Sequence, residues 1–278
     1  MSKRNKKVLN QPSFLAKYQS LILVSILVVF GFVIYSNTYQ NSFHFDDNFY
    51  ITNNHLVKDI GVFTNLRYWT NIHFRPIPTF SFALQYKLHG FELAPFHLFN
   101  NIIHFLSAIL VFFLTQFLLR LHLTTANKQT SKNLYIPFIV AAIFISHPLQ
   151  TQSVNYIVQR MSSMAALFYL LSVFTYLKAR WWHINGKVNR GILFYIITAI
   201  AFILAILSKQ TAATIPFSLL LVEILFVRNN KGQLAKTYVY SFAAVLLAVV
   251  LFGIIGGYIP REYDLISRDI YLATQFNV

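Results

Sequence analysis

Seven long apolar runs dominate this 278-residue chain and restrict its fold more than any other feature. They cover residues 18–37, 96–119, 134–146, 163–177, 191–208, 211–227 and 237–257. A helix needs about 20 apolar residues to cross the hydrocarbon core of a bilayer, and most of these runs approach that length. We therefore predict an all-α polytopic membrane protein with about seven transmembrane helices in a domain over residues 18–257.

Composition excludes a soluble fold. Hydrophobic residues make up 56% of the chain, charged residues only 11%, and the mean hydropathy is +0.53. Soluble domains are typically about 25% charged. The chain has no cysteine, which excludes disulfides and thiolate metal sites.

The distribution of charge predicts the orientation in the membrane. Fifteen of the 23 basic residues and no acidic residue lie in four segments, namely 1–17, 120–132, 178–190 and 228–236. Cytoplasmic loops carry an excess of Lys and Arg, so these segments are expected inside and the N-terminus is cytoplasmic. The first loop, 38–95, and the C-terminal segment, 258–278, are then extracytoplasmic. Because the basic residues form no single stripe, we expect no nucleic-acid partner.

The first outer loop is nearly 60 residues long and is predicted to contain short amphipathic surface helices at 50–56, 57–68 and 79–88. It also contains Asp46 and Asp47, two of only eight acidic residues. A carboxylate pair there can accept a proton, bind a polar substrate or hold a divalent cation. A solvated turn that caps a helix is the alternative interpretation.

Several cationic and polar side chains are expected at the same membrane depth. Arg75 stands before Pro76 on a stiff backbone and suits phosphate, which it can bind bidentately. Lys209 separates two apolar runs and either meets an anion or reaches the membrane surface. The polar stretch between the third and fourth runs adds candidates that could bind a headgroup: His147, Gln152, Gln159 and Arg160.

One helical face carries three polar residues, since His97, Asn101 and His104 follow at i, i+4 and i+7. Hydrogen bonding between helices accounts for Asn101 and His104, whereas His97, at the outer end, is the better site candidate. Nothing else completes a ligand set around the two histidines, so no metal site is predicted.

In this order, the motifs resemble a known family. They are Phe45-Asp46-Asp47, Arg75-Pro76, Phe96-His97-Leu98-Phe99-Asn100, His147-Pro148-Leu149-Gln150-Thr151-Gln152, Gln159-Arg160 and Ser208-Lys209-Gln210-Thr211. The pattern is similar to the GT-C membrane glycosyltransferases whose transmembrane part precedes tetratricopeptide repeats, the eukaryotic protein O-mannosyltransferases and their bacterial relatives. The resemblance covers about residues 43–223.

The resemblance implies an inverting transferase that uses a polyprenyl-phosphate sugar and acts outside the cytoplasm. Asp46 would be the catalytic base toward an acceptor hydroxyl of a protein or glycan, and Asp47 would position the acceptor or the base. The donor phosphate would be bound by Arg75, Arg160, Lys209 and His97, with His147, Gln152, Gln159, Asn101 and His104 positioning the substrates. No cofactor is assigned, and a divalent cation at the aspartate pair stays open.

Two departures from the family are visible. Many relatives have Glu where this chain has Gln152, and the chain has no 34-residue helical repeat. The sequence is therefore expected to be a fragment, a truncated form or a protein that needs a second membrane subunit. A non-catalytic subunit that binds lipid-linked sugar and a lipid-linked sugar transporter are the alternative functions. We expect the bacterial inner membrane rather than the endoplasmic reticulum.

Single-cysteine labelling tests the orientation, because the chain has no native cysteine. An impermeant thiol reagent added outside should label Asn53→Cys and leave Asn127→Cys unlabelled until the membrane is permeabilised. The reverse pattern would contradict the predicted topology.

Overall fold

All the elements found in the computed structural model are helical, and it describes residues 14–70, 75–125 and 134–227. Ten α-helices appear in it: α1 (Phe14–Ile34), α2 (His55–Lys58), α3 (Leu66–Thr70), α4 (Pro76–His89), α5 (Leu93–Thr125), α6 (Tyr135–Ser146), α7 (Gln150–Asn155), α8 (Arg160–Ile184), α9 (Val188–Ser208) and α10 (Ile215–Val222). Three 3₁₀ turns (Ile60–Thr64, Ile157–Gln159, Gln210–Thr214) and two π-helical turns (Asn48–Thr52, Glu223–Val227) connect or extend them.

Four of the predicted spans correspond to helical stretches that are long and apolar enough to cross a membrane. These are Leu93–Leu121, Ile157–Ile184, Val188–Ser208 and Gln210–Val227. The first and third predicted spans appear as shorter apolar helices, Tyr18–Ile34 and Tyr135–Ser146. The seventh, at 237–257, and the C-terminal segment 258–278 lie outside the described residues. The structure therefore confirms a helical chain with four candidate spans.

Consecutive long helices, α5 with α6 and α8 with α9, pack as antiparallel neighbours, whereas α5 and α8 both start at the same end and run in the same direction. α8 packs most extensively against α9, α5 packs against α6 and α8, and α1 lies against α5 and α6. Contact with α1 is close at Gly31, where an added Cβ would lie 2.5 Å from the Phe105 ring and 2.6 Å from Ile145. Because of this arrangement, the start of α5, the end of α6, the start of α8 and the end of α9 meet at one end of the bundle. We call it the site end.

The first loop contains helical turns, as predicted, with boundaries set by Asn and Asp side chains. Asn54 Oδ1 accepts the Leu56 N–H, Asp59 Oδ1 accepts the Gly61 N–H, and Asn65 Oδ1 accepts the Arg67 N–H. These caps divide the predicted helices at 50–56 and 57–68 into shorter turns, because each cap starts a new turn.

α4 differs from the surface helix predicted at 79–88. Its face with Thr79, Phe82 and Gln85 is buried, and it packs against α5, α8 and α9. Gln85 Nε2 donates to the Pro95 carbonyl at 2.8 Å. The helix is thus an inner wall of the site end, since its polar side chains find partners on neighbouring elements.

A buried arginine joins three helices at the site end. Arg160 is 0% exposed. Its Nε donates to Asn100 Oδ1 at 2.8 Å, Nη1 to Ser81 Oγ at 3.2 Å, and Nη2 to the Phe96 carbonyl at 2.9 Å. The guanidinium also lies against three aromatic rings, those of Phe82, Phe96 and Phe99, at 4.3, 5.5 and 4.6 Å.

A second buried charge ties α10 to α8 at the opposite end. Arg180 donates to both carboxylate oxygens of Glu223, at 2.8 and 2.6 Å, and the Tyr176 hydroxyl donates to the same carboxylate at 3.1 Å. Arg180 and Glu223 thus form a buried salt bridge. A bidentate, hydrogen-bonded pair of this kind compensates much of the cost of burying both charges.

Replacing the buried arginine should destabilise the bundle. Arg160→Ala leaves Asn100 Oδ1 and the Phe96 carbonyl without their donor, and we expect the free energy of unfolding to fall by at least about 3 kcal/mol. Thermal unfolding in detergent measures this, with Arg190→Ala as the control, because Arg190 is exposed and lies over the Trp182 ring. Equal melting temperatures for the two variants would contradict the structural role of Arg160.

Candidate functional site

The turn that carries the aspartate pair is held in place by Asp47. This side chain is 0% exposed. Its Oδ2 accepts the His44 N–H at 3.0 Å and its Oδ1 accepts the Val158 N–H at 2.7 Å. Burial raises the pKa of Asp47, and the two N–H donors oppose that rise. Asp47 therefore joins the first loop to the segment before α8 through Oδ1 and closes its own turn through Oδ2.

Asp46 has the opposite environment. Its side chain is exposed, and its backbone N–H donates to the Tyr156 hydroxyl at 2.8 Å. The residue before it, Phe45, adopts a left-handed backbone conformation with φ of 43°. Non-glycine residues rarely adopt this conformation, and those that do are common at functional sites. Asp47 is therefore a buried residue that holds the turn, which we call the clamp, whereas Asp46 presents an exposed carboxylate.

A cleft of about 320 Å³ opens beside this turn. Its lining is polar and aromatic and includes no Asp, Glu, Lys or Arg side chain: Asn41, His44, Phe45, Thr151, Gln152, Asn155 and Tyr156. Asn155 Oδ1 is buried and has no donor among the described residues. A lining of amides, hydroxyls and rings suits a neutral polar ligand better than a phosphate.

Arg75 and Lys209 form a second feature of the site end. Arg75 precedes α4 in a left-handed conformation, φ 45°, and its guanidinium contacts Met161 Sδ at 2.8 Å and lies 5.4 Å from the centre of the Tyr50 ring. Lys209 Nζ donates to Ser162 Oγ at 2.7 Å. Burial lowers the pKa of Lys209, and the nearby charge of Arg75 lowers it further. Neither cation forms a salt bridge with a described carboxylate.

One short stretch, residues 156–162, holds both features. Its first half contacts the aspartate turn and its second half contacts the cation pair, over a length of about 10 Å at the usual rises of 3₁₀ and α-helix. The contacts are Tyr156 with Asp46, Val158 with Asp47, Met161 with Arg75 and Ser162 with Lys209. The structure therefore places the aspartate turn and the cation pair at the two ends of this one stretch.

The predicted residues on α5 are buried within the protein. His97 Nε2 lies 2.8 Å from the Asn41 carbonyl, Asn101 Nδ2 donates to the Tyr39 hydroxyl at 3.1 Å, and His104 Nε2 lies 3.2 Å from the Ile145 carbonyl. The His97 and Asn101 contacts attach the start of the first loop to α5. The His104 contact attaches the end of α6 to α5. These contacts favour the interpretation of this polar face as packing between segments.

The remaining predicted residues are spread over the site end. His147 and Gln152 are exposed, and only Gln152 lines the cleft. Gln159 Oε1 accepts the Ser162 hydroxyl at 2.7 Å, so it supports the cation pair indirectly. Arg160 was predicted to bind the donor phosphate, but its side chain is 0% exposed and its guanidinium donates to Asn100, Ser81 and Phe96 instead. In the described part of the chain, no group of three or more His, Asp or Glu side chains could hold a metal ion.

Sequence reasoning missed Tyr156, Met161 and Ser162. A tyrosine or methionine next to an apolar run has the ordinary appearance of a core or interface residue, so its type carries no signal. Only the register of the chain after α7 places these side chains against Asp46, Arg75 and Lys209.

Comparison with known proteins identifies distant relatives. No family profile and no solved structure matches the chain. It is 27% identical to Protein O-mannosyl-transferase TMTC1 of Homo sapiens over 221 residues, 71% of this chain and 23% of the human protein. It is 30% identical to Protein O-mannosyl-transferase Tmtc2 of Drosophila melanogaster over 235 residues, 79% of this chain and 23% of the fly protein.

A protein O-mannosyl-transferase of Caenorhabditis elegans is 27% identical over 255 residues, 87% of this chain and 34% of the worm protein. The chain thus spans about a quarter to a third of the length of these relatives. It is a distant homologue of the protein O-mannosyl-transferases over much of its own length, which confirms the predicted relationship.

The two aspartates should differ in their effect on stability. Asp47→Asn replaces one acceptor oxygen by an N–H donor that faces a backbone N–H, and we expect the free energy of unfolding to fall by about 1–3 kcal/mol. Asp46→Asn changes an exposed side chain and should leave thermal unfolding in detergent close to that of the wild type. Equal destabilisation by both substitutions would contradict the assignment of Asp47 as the clamp.

Proposed function

We propose that this chain forms the site of a membrane glycosyltransferase that moves a sugar from a polyprenyl-phosphate carrier to an acceptor hydroxyl. The observation that carries the proposal is the arrangement along residues 156–162, which hold an exposed carboxylate at one end and an uncompensated cation pair at the other. Distant homology to proteins named as O-mannosyl-transferases supports a sugar as the transferred group and a protein as the acceptor.

In this proposal Asp46 is the general base. Its exposed carboxylate takes the proton of the acceptor hydroxyl while that oxygen attacks the anomeric carbon of the sugar. The bond between that carbon and the phosphate oxygen breaks, the configuration inverts, and the electron pair leaves with the polyprenyl phosphate. Asp47 has both oxygens bound to backbone N–H groups, so its part is to hold the turn and not to take the proton.

Arg75 and Lys209 bind the phosphate of the donor. Each is half-buried; burial lowers the pKa of Lys209, and repulsion by the charge of Arg75 lowers it further. An anion between them would offset that repulsion and would favour the charged form of the lysine. The same contacts stabilise the charge that develops on the leaving phosphate.

The two features also divide the substrates between them. The cleft beside Phe45 and Tyr156 has no Asp, Glu, Lys or Arg side chain in its lining, whereas the cation pair lies about 10 Å further along the same stretch. The acceptor therefore occupies the neutral cleft and the lipid phosphate the cationic end. We place this end outside the cytoplasm, as the charge distribution predicts, with the long apolar helices in an inner membrane.

Asp46→Asn should lower transfer by about 10²–10⁴-fold, the usual contribution of a general base. The assay follows mannose transfer from a synthetic polyprenyl-phosphate mannose to a peptide that contains Ser and Thr, using the full chain in nanodiscs. Asp59→Asn is the matched control, because Asp59 is an exposed carboxylate of the same loop that caps the next turn. Transfer by Asp46→Asn at the wild-type rate would exclude the role.

Arg75→Ala and Lys209→Ala should each weaken binding of polyprenyl phosphate by about 10- to 150-fold, as expected for loss of one charge-assisted contact. Native mass spectrometry with added lipid measures this, and Lys58→Ala is the control, since Lys58 is exposed and lies near the Phe91 ring. Wild-type binding by both variants would place the donor elsewhere. Lipid binding without transfer by the wild type would instead favour a non-catalytic membrane subunit.

A further inference from the structure

The proposed chemistry leaves one contact of the base without a role, the bond between Asp46 and Tyr156. We propose that Tyr156 is the positioning residue of Asp46: its hydroxyl fixes the backbone of the aspartate turn and offers its own proton to the ionised carboxylate. The inference rests on the proposed function only in treating Asp46 as the base. The contact itself belongs to the fold.

The direction of the hydrogen bond between Asp46 and Tyr156 determines which group is the donor. The Asp46 N–H donates to Tyr156 Oη at 2.8 Å, so the phenol oxygen is the acceptor and its O–H proton remains available to another group. The adjacent acceptor is the carboxylate of Asp46 itself. Partial burial raises the pKa of Tyr156, and the charges of Asp46 and Asp47 raise it further, so the phenol keeps its proton where the carboxylates are ionised.

The turn requires such a restraint. Phe45 has φ of 43° and is 87% exposed, so its side chain has little packing to stabilise an unfavourable backbone. Its ring meets the Tyr156 ring edge-on, with centroids 6.4 Å apart. Asp47 holds the turn from one side through Val158, and Tyr156 holds it from the other through Asp46.

Tyr156 is itself well anchored. Its N–H donates to the Gln152 carbonyl at 3.2 Å, where α7 ends, and its carbonyl accepts the Gln159 N–H at 3.0 Å. The ring packs against the buried cluster that contains Ile51 and Ile157. A side chain whose backbone is fixed by hydrogen bonds on both sides can orient a catalytic group without cost at the moment of reaction.

The same ring lines the neutral cleft, next to Thr151 and Asn155. A molecule in the cleft therefore touches the residue that holds the base, and its position relative to the carboxylate is set by Tyr156. Tyr156 therefore positions the acceptor hydroxyl and the Asp46 carboxylate relative to each other.

Hydrogen–deuterium exchange tests the bond without any substrate. In Tyr156→Phe the Asp46 amide loses its acceptor, and we expect its exchange, resolved by overlapping peptides, to accelerate at least about tenfold. Tyr35→Phe is the matched control, since it removes a buried hydroxyl that donates to the Ile145 carbonyl at 3.0 Å on another pair of helices. Unchanged exchange at Asp46 in Tyr156→Phe would overturn the inference.

The pH dependence of transfer separates positioning from general destabilisation. The titratable neighbours of Asp46 are His44 and Asp47 in its own turn and Tyr156 from the segment packed against it. A hydroxyl that donates to a carboxylate favours its ionised form. Removing that donor in Tyr156→Phe should therefore move the acid limb of kcat/KM to higher pH.

A loss of stability alone would lower the rate equally at all pH values, and that result would also overturn the inference. A wild-type chain that transfers no sugar would contradict the proposed function. The Tyr156 bond would then still be decided by the exchange rate of the Asp46 amide.

Discussion

The site end depends on the burial of one guanidinium. Arg160 is enclosed by α4, α5 and the start of α8, and no described carboxylate forms a salt bridge with it. Its charge is instead stabilised by the Asn100 amide, the Ser81 hydroxyl, the Phe96 carbonyl and aromatic rings. These groups must surround the guanidinium in the folded chain, because a buried charge without partners costs a large free energy. This requirement fixes where the chain enters α8, and therefore where residues 156–162 lie.

The aspartate pair shows how one short motif can serve two purposes. Both oxygens of Asp47 accept hydrogen bonds from backbone N–H groups, and this side chain is buried. Asp46, one residue earlier in the turn, is exposed. Successive side chains in a turn point in different directions, so adjacent carboxylates need not act as a unit. The buried carboxylate of Asp47 thus has hydrogen-bond partners, and the exposed carboxylate of Asp46 is available to a ligand.

The residues of the candidate site could be proposed from the sequence, but their surroundings could not. Asp46, Arg75 and Lys209 were predicted because charged residues beside apolar runs are rare and need an explanation. Arg160 was predicted by the same argument and given the wrong surroundings, since its sequence position is equally consistent with a ligand site and with a buried network. A charged residue beside an apolar run can be recognised in the sequence, but whether it binds a ligand or a protein group depends on its burial in the folded chain.

The sequence by itself determined that the chain is helical and that its apolar runs are long enough for several spans. These properties follow from composition and spacing, which act locally. The tertiary structure alone decided that α4 is an inner wall, that Asp47 is a clamp and that Tyr156 holds Asp46. Contacts between residues about 110 positions apart depend on how the helices pack, and packing is a property of the whole bundle.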